Sequence, residues 1–165
     1  MTIHAQLVFS GITEQLLSSG VMESSGSMNH LTSGIMAEVL RSGAQDTLLD
    51  NLTRTYAERA AALTGALRAV LPEGATVTET QGGFFCWLVL PGGVRADAVI
   101  AACVANELFP VSAIPGSNFS PSGSFGGCLR MAFTFYDAEQ LAKAGTVVGE
   151  AVAKLSKKTA ERKSD

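Results

Sequence analysis

The sequence predicts an α/β fold: an α+β sandwich with a small mixed or antiparallel sheet of about four strands covered by helices. Three observations carry this expectation. Helical periodicity fills residues 46–70, the pattern switches to alternation after Pro72, and helical spacing returns at 96–107 and again after Asp137. The length of 165 residues suits a single hydrophobic core.

Taken in order, Leu7 to Leu17 is weakly amphipathic and runs into Ser18-Ser19-Gly20 and Ser24-Ser25-Gly26-Ser27. Residues 1–27 therefore read as an N-terminal helix and a Ser/Gly-rich connector, and residues 28–156 as the domain proper. Leu31, Ile35 and Val39 recur at helical spacing between Asn29 and Ser42, and Gly43 suits a left-handed stop. In the next helix Leu49, Leu52, Tyr56, Ala60, Leu63, Leu67 and Val70 make one stripe, Asp50, Arg54 and Glu58 take the opposite face, and Pro72 and Gly74 end it.

Thr76 to Thr80 then alternates, Gln81-Gly82-Gly83 turns the chain, and Phe84 to Leu90 is an aromatic and β-branched run closed by Pro91-Gly92-Gly93. These are two strands. Ala96 to Glu107, with Val99, Ile100 and Cys103 facing inward, reads as a helix, Phe109 to Ile114 as a third strand, and Pro115 to Gly127 as a loop. Leu129, Met131, Phe133 and Phe135 alternate with Arg130, Ala132 and Thr134, giving a fourth, half-buried strand. Asp137 and Gln140 have capping-box spacing before a last helix whose stripe is Leu141, Val148, Val152 and Leu155. Residues 157–165 read as a solvated, frayed tail.

Composition narrows the partners. Lys and Arg total 12 and Asp and Glu 15, a net charge of -3, and no basic stripe exists to neutralise phosphates, so no nucleic-acid partner is expected. Charged residues make up 16%, against about 25% in an average soluble domain, while 47% are hydrophobic and the mean hydropathy is +0.25. Such a chain has either a large core or an apolar face that another domain or subunit covers. The uncharged stretch Leu108 to Leu129 is broken by Pro110, Pro115 and Pro121, so no membrane span is expected. Residues 1–11 lack the basic region of a signal peptide, and Cys86, Cys103 and Cys128 each sit among apolar neighbours. Buried free thiols in the reducing cytoplasm follow as the expectation. No CxxC pair or His-x3-His spacing marks a metal site.

No phosphate-binding glycine motif and no nucleophile elbow is present. His4 lies near the terminus and His30 beside Asn29 at a helix start, where it decorates a cap, and the acidic residues are scattered over polar helix faces. No catalytic residue is assigned. Arg130 stands apart as the only charged residue between Glu107 and Asp137, in a strand between Leu129 and Met131. A guanidinium in apolar company calls for an anion, best a carboxylate or phosphate held by two parallel hydrogen bonds. An arginine pointing to solvent from an open sheet face carries equal weight on these residues alone.

Four strings bear on that choice: Gln81-Gly82-Gly83-Phe84-Phe85-Cys86-Trp87-Leu88, Pro115-Gly116-Ser117-Asn118-Phe119, Leu129-Arg130-Met131-Ala132-Phe133, and the helix start Asp137-Ala138-Glu139-Gln140. Together they resemble the C-terminal small domain of class I/II aminotransferases, pyridoxal-phosphate enzymes of fold type I. Upstream, Leu16-Leu17-Ser18-Ser19-Gly20, Ser25 to Ser33, and Tyr56-Ala57-Glu58-Arg59-Ala60-Ala61-Ala62-Leu63 resemble the 2-aminoadipate/kynurenine aminotransferase-like branch. The likeness runs roughly from residue 7 to residue 156.

The resemblance implies that Arg130 binds the α-carboxylate of an amino acid or 2-oxo acid substrate, and that Gly83, Phe84 and Asn118 line the substrate mouth. For Phe84 and Phe119 core packing remains equally open. It also implies pyridoxal phosphate in the intact parent enzyme, held by a lysine in a larger, preceding domain. The five lysines here, Lys143, Lys154, Lys157, Lys158 and Lys163, all lie on or beyond the last helix, so no pyridoxal phosphate is expected on this chain. The expectation is a truncated aminotransferase, inactive alone, that needs the large domain or a second subunit. Whether the chain is itself an enzyme stays open at this point, the alternative being a non-enzymatic α/β module that binds a small carboxylate or serves in assembly.

Overall fold

The structure is a computed structural model in which residues 29–164 are described. The helix and connector expected before residue 28 lie outside them. Two compact units divide the chain, residues 1–49 and 50–165.

In the first unit, α1 (His30–Arg41) begins at Asn29, whose Oδ1 accepts the Thr32 N–H at 3.3 Å. It stops where Gly43 takes φ +75, a conformation open to glycine without strain. The expected stripe forms but is not in the core, since Leu31 and Ile35 are exposed and Val39 is half-buried.

The long α2 (Ala44–Val70) carries on into the second unit, where it buries Ala60, Leu63, Thr64 and Leu67 and exposes Asp50, Arg54 and Glu58. There, β1 (Thr76–Val77), β2 (Phe85–Val89), β3 (Ile114–Pro115) and β4 (Cys128–Ala132) form one antiparallel sheet in the order β1-β2-β4-β3. Strand alternation separates its two faces. Cys86 and Leu88 of β2, Leu129 and Met131 of β4, and Phe133 beyond it point into the core. Against them pack Leu63 and Leu67 of α2, Val99 and Cys103 of α3 (Ala96–Val104), and Leu141, Val148 and Val152 of α4 (Ala138–Ser164). Phe85, Trp87, Val89 and Arg130 occupy the other face and stay exposed or half-buried. The sheet is thus an α/β layer with one clothed side.

Three boundaries in the sheet differ from the sequence expectation, and at the first two a side chain or a missing donor redirects the backbone. The first strand ends at Val77 rather than Thr80: Thr78 donates its N–H to the Trp87 carbonyl at 2.9 Å, but its Oγ1 accepts the Trp87 N–H at 3.0 Å where a backbone carbonyl would continue the ladder. The strand expected over Phe109 to Ile114 shrinks to Ile114–Pro115. Asn106 Oδ1 takes the Leu108 and Phe109 N–H groups, Pro110 has none, and the Val111 N–H turns back to the Cys103 carbonyl. The alternation past β4 also fails at Phe135, which is 82% exposed.

The last helix opens as its capping box requires, with Asp137 Oδ1 accepting the Gln140 N–H at 2.8 Å and Gln140 Oε1 accepting the Asp137 N–H at 3.4 Å. It then runs through the expected tail to Ser164, because residues 157–163 include no glycine or proline to stop it. No helix among the described residues is long and apolar enough to cross a membrane.

Candidate functional site

Arg130 sits mid-strand on β4, opposite Trp87 of β2 and Ile114 of β3. Because Leu129 and Met131 are buried, the pleat sends Arg130 to the outer face. Diagonal to it across the ladder is Phe85, whose ring centre lies 4.0 Å from the Arg130 Cζ. A single 3-10 turn, Gly116–Phe119, follows β3 directly and brings the Phe119 ring to 4.1 Å from the same carbon. That turn tucks in only because residue 116 is glycine. A Cβ there would lie 2.7 Å from the Phe125 carbonyl oxygen and 2.9 Å from Cys128 Cβ. The Phe119 and Phe125 rings both meet Trp87 edge-on, at 6.2 and 5.9 Å. Phe125 itself holds φ +66, a strained conformation for a bulky residue, and its carbonyl accepts the Cys128 N–H at 3.0 Å.

The hydrogen bonding of the Arg130 side chain is incomplete. Arg130 Nε is enclosed and has no hydrogen-bond partner. The ion pairs among the described residues join Arg41 to Glu38, Arg95 to Asp97 and Lys143 to Glu139, and none reaches Arg130. Stacking on an aromatic ring contributes about 0.5–2 kcal/mol per ring, which offsets part of the desolvation but leaves the N–H donors unmet. A guanidinium offers donors and no acceptor, and its planar fork has the geometry to pair with a carboxylate. Arg130 faces outward from the open side of the sheet, with its guanidinium beside the Phe85 and Phe119 rings.

The remaining predicted residues lie in the turn before β2 and the turn after β3. Gly83 takes φ +81 in the turn before β2. Phe84 is 55% exposed and edges onto Tyr56 and Phe85 at 5.9 and 6.4 Å, so it is not a core residue. Asn118 is exposed on the same turn that delivers Phe119. Phe85 and Trp87 were not singled out from sequence. Their spacing of two was visible, but that they share a face with Arg130 depends on the β2–β4 register, which no local pattern specifies.

Elsewhere, Cys86, Cys103 and Cys128 are free and buried, and burial pushes the Cys86 and Cys103 thiols up to about 11. No cluster of His, Cys, Asp or Glu among the described residues could hold a metal.

With this geometry in place, residues 16–147 match the family profile Aminotransferase class I and II. The chain belongs to that family. Over 118 residues this aminotransferase-family chain is 28% identical to the 2-aminoadipate transaminase of Thermus thermophilus, covering 72% of the chain and 29% of that protein. The crystal structure of LysN, an alpha-aminoadipate aminotransferase of the same organism complexed with N-(5'-phosphopyridoxyl)-L-leucine, matches with a TM-score of 0.69 at 26% identity, over 88% of this chain and 36% of that one. A multiple substrate aminotransferase from Thermococcus profundus shares the fold, with a TM-score of 0.72 at 23% identity over 83% of this chain and 33% of its own. The chain spans 21–30% of the length of the curated relatives it matches.

The described residues do not fit a covalently held pyridoxal group. All five lysines of this aminotransferase-family chain lie in α4, whose apolar stripe packs on the clothed side of the sheet, away from the Arg130 face.

Proposed function

We propose that this chain supplies the substrate-carboxylate grip of a pyridoxal-phosphate-dependent aminotransferase, one that moves an amino group between an amino acid and a 2-oxo acid. The single observation that carries the reading is Arg130: a sheathed guanidinium on the open sheet face, with an enclosed, unpartnered Nε and no carboxylate of its own. Both substrates of such a reaction carry an α-carboxylate, and the two parallel hydrogen bonds it can accept from a guanidinium fix the substrate in position and in plane. Gly83, Phe84 and Asn118, on the turns beside the clamp, form the rim over which the rest of the substrate passes. The similarity to a protein crystallised with a phosphopyridoxyl-leucine adduct supports the cofactor class.

Arg130 binds and orients, and no residue of this chain is assigned proton transfer or covalent chemistry. The cofactor-bearing part comes from a large domain or a second subunit, and the 165 residues alone are inactive. Three buried free thiols support a reducing, cytoplasmic setting.

Titration of the purified chain with 2-oxoglutarate, followed by amide chemical shifts, tests the reading. The expected outcome is saturable binding centred on β2 and β4 that Arg130→Ala weakens at least about tenfold, the worth of one charge-assisted pair. If the parent chain gives no shifts at β4, the second reading, a non-enzymatic assembly module, takes its place.

A further inference from the structure

We propose that Phe85 and Phe119 set the anion specificity of Arg130, admitting planar carboxylates and turning away tetrahedral anions. This rests on the reading of Arg130 as a carboxylate grip. The two ring centres lie 4.0 and 4.1 Å from the Arg130 Cζ. Phe85 makes its ring contact with Phe84 and Phe119 makes its own with Trp87. Two rings that close to one carbon on the same side would touch each other, so Phe85 and Phe119 cover the two faces of the guanidinium. What remains is an approach within the guanidinium plane, and since Nε is enclosed, it is the Nη1–Nη2 edge that a ligand meets.

A carboxylate has both oxygens in one plane and enters this slot with two straight N–H···O bonds. A sulfonate or phosphate carries at least one further oxygen above or below that plane. That oxygen presses toward the face of a ring, where the negative side of the quadrupole repels it. The rings also hold still a side chain that otherwise carries about 2 kcal/mol of rotamer entropy, so less order is lost when the ligand arrives. Phe85 and Phe119 touch the arginine rather than the substrate and are positioning residues.

The test uses the 15N-labelled chain and the Nε–Hε signal of Arg130, identified by its loss in Arg130→Lys. The signal is titrated separately with acetate and with methanesulfonate, both monoanions at neutral pH. The expected result is a preference for acetate that falls about fivefold, close to 1 kcal/mol, in Phe119→Leu and in Phe85→Leu, and is restored in Phe119→Tyr. In both leucine variants the ring-shielded signal also moves toward those of the other arginines, a readout that a change in stability alone does not produce. The rings are 42% and 43% exposed, so either variant has a fold in which to be measured. Equal affinity for the two anions in the parent, or an undiminished preference in the leucine variants, overturns this proposal alone. A signal indifferent to both anions brings down the carboxylate reading together with it.

Discussion

Gly145 of α4 lies directly against the Leu63 carbonyl of α2: a Cβ at residue 145 would sit 2.8 Å from that oxygen and 2.9 Å from Ala66 Cβ. One turn on, a Cβ at Gly149 would run into Val70. Residues four apart share a helix face, so Gly145 and Gly149 form a flat strip that lets the two longest helices come close enough to seal the core behind the sheet.

The first prediction follows from that contact. Gly145→Ala gains helix propensity of up to about 1 kcal/mol but must push two backbones apart, and overpacking of this kind costs about 1–3 kcal/mol. The net expectation is a lower Tm by several degrees in calorimetry. Gly65→Ala, on an exposed face of α2 with nothing within 4 Å, gives the opposite sign, a small gain. Equal responses of the two variants would show that the crossing is not close.

Neither glycine was legible from sequence, because periodicity reports which residues are apolar and says nothing about how near two helices must pass. The elements themselves were legible wherever a local rule decided them: the stop at Gly43, the capping box at Asp137, the alternation from Leu129 to Phe133. They failed where a side chain outcompeted the backbone, as Asn106 and Thr78 do. Arg130 stands out as a candidate from its lone charge in an apolar strand, while the rings beside it do not, since Phe85 and Phe119 reach it from two other segments through register and a turn.

Asp137 anchors α4 through its bond to the Gln140 N–H at 2.8 Å. Asp137→Ala frees that donor and the cap, a loss of about 1 kcal/mol, or about 2–4 °C in Tm for a domain of this size. Asp137→Asn keeps an acceptor and restores most of it. A thermal melt of the three chains decides the matter, and an Ala variant as stable as the parent would remove the cap from the account.

Stability at alkaline pH is set in part by Cys86 and Cys103, whose thiols burial raises from 9.0 to about 11. Between those values the unfolded chain has released these protons and the native chain has not. The unfolded state then binds fewer protons, so stability falls as pH rises from about 9 to about 11, and below about 9 the contribution is fully present and flat. Each thiol accounts for about 2–3 kcal/mol over that window. Denaturant midpoints at pH 8 and pH 10.5 read the fall directly, and Cys86→Ala, though less stable throughout, roughly halves it, the Cys103 share remaining. Iodoacetamide at pH 8 leaves both native thiols unlabelled. Rapid alkylation of native Cys86 would contradict the burial on which the slope depends.

Pyridoxal phosphate added to the chain gives no stoichiometric visible band that one lysine substitution abolishes. A covalent adduct needs a neutral amine held beside groups that grip the phosphate and the ring nitrogen. Lys143, the first of the five lysines, donates to Glu139 Oε1 at 2.7 Å, and that hydrogen bond raises its pKa above the ordinary lysine value and keeps it charged. Raising the pH toward 10 increases adduct formation smoothly across several lysines rather than filling one site, which mass spectrometry after borohydride reduction distinguishes. One lysine modified to completion at neutral pH would place cofactor chemistry on α4, and the assignment of this chain to substrate binding alone would then be wrong.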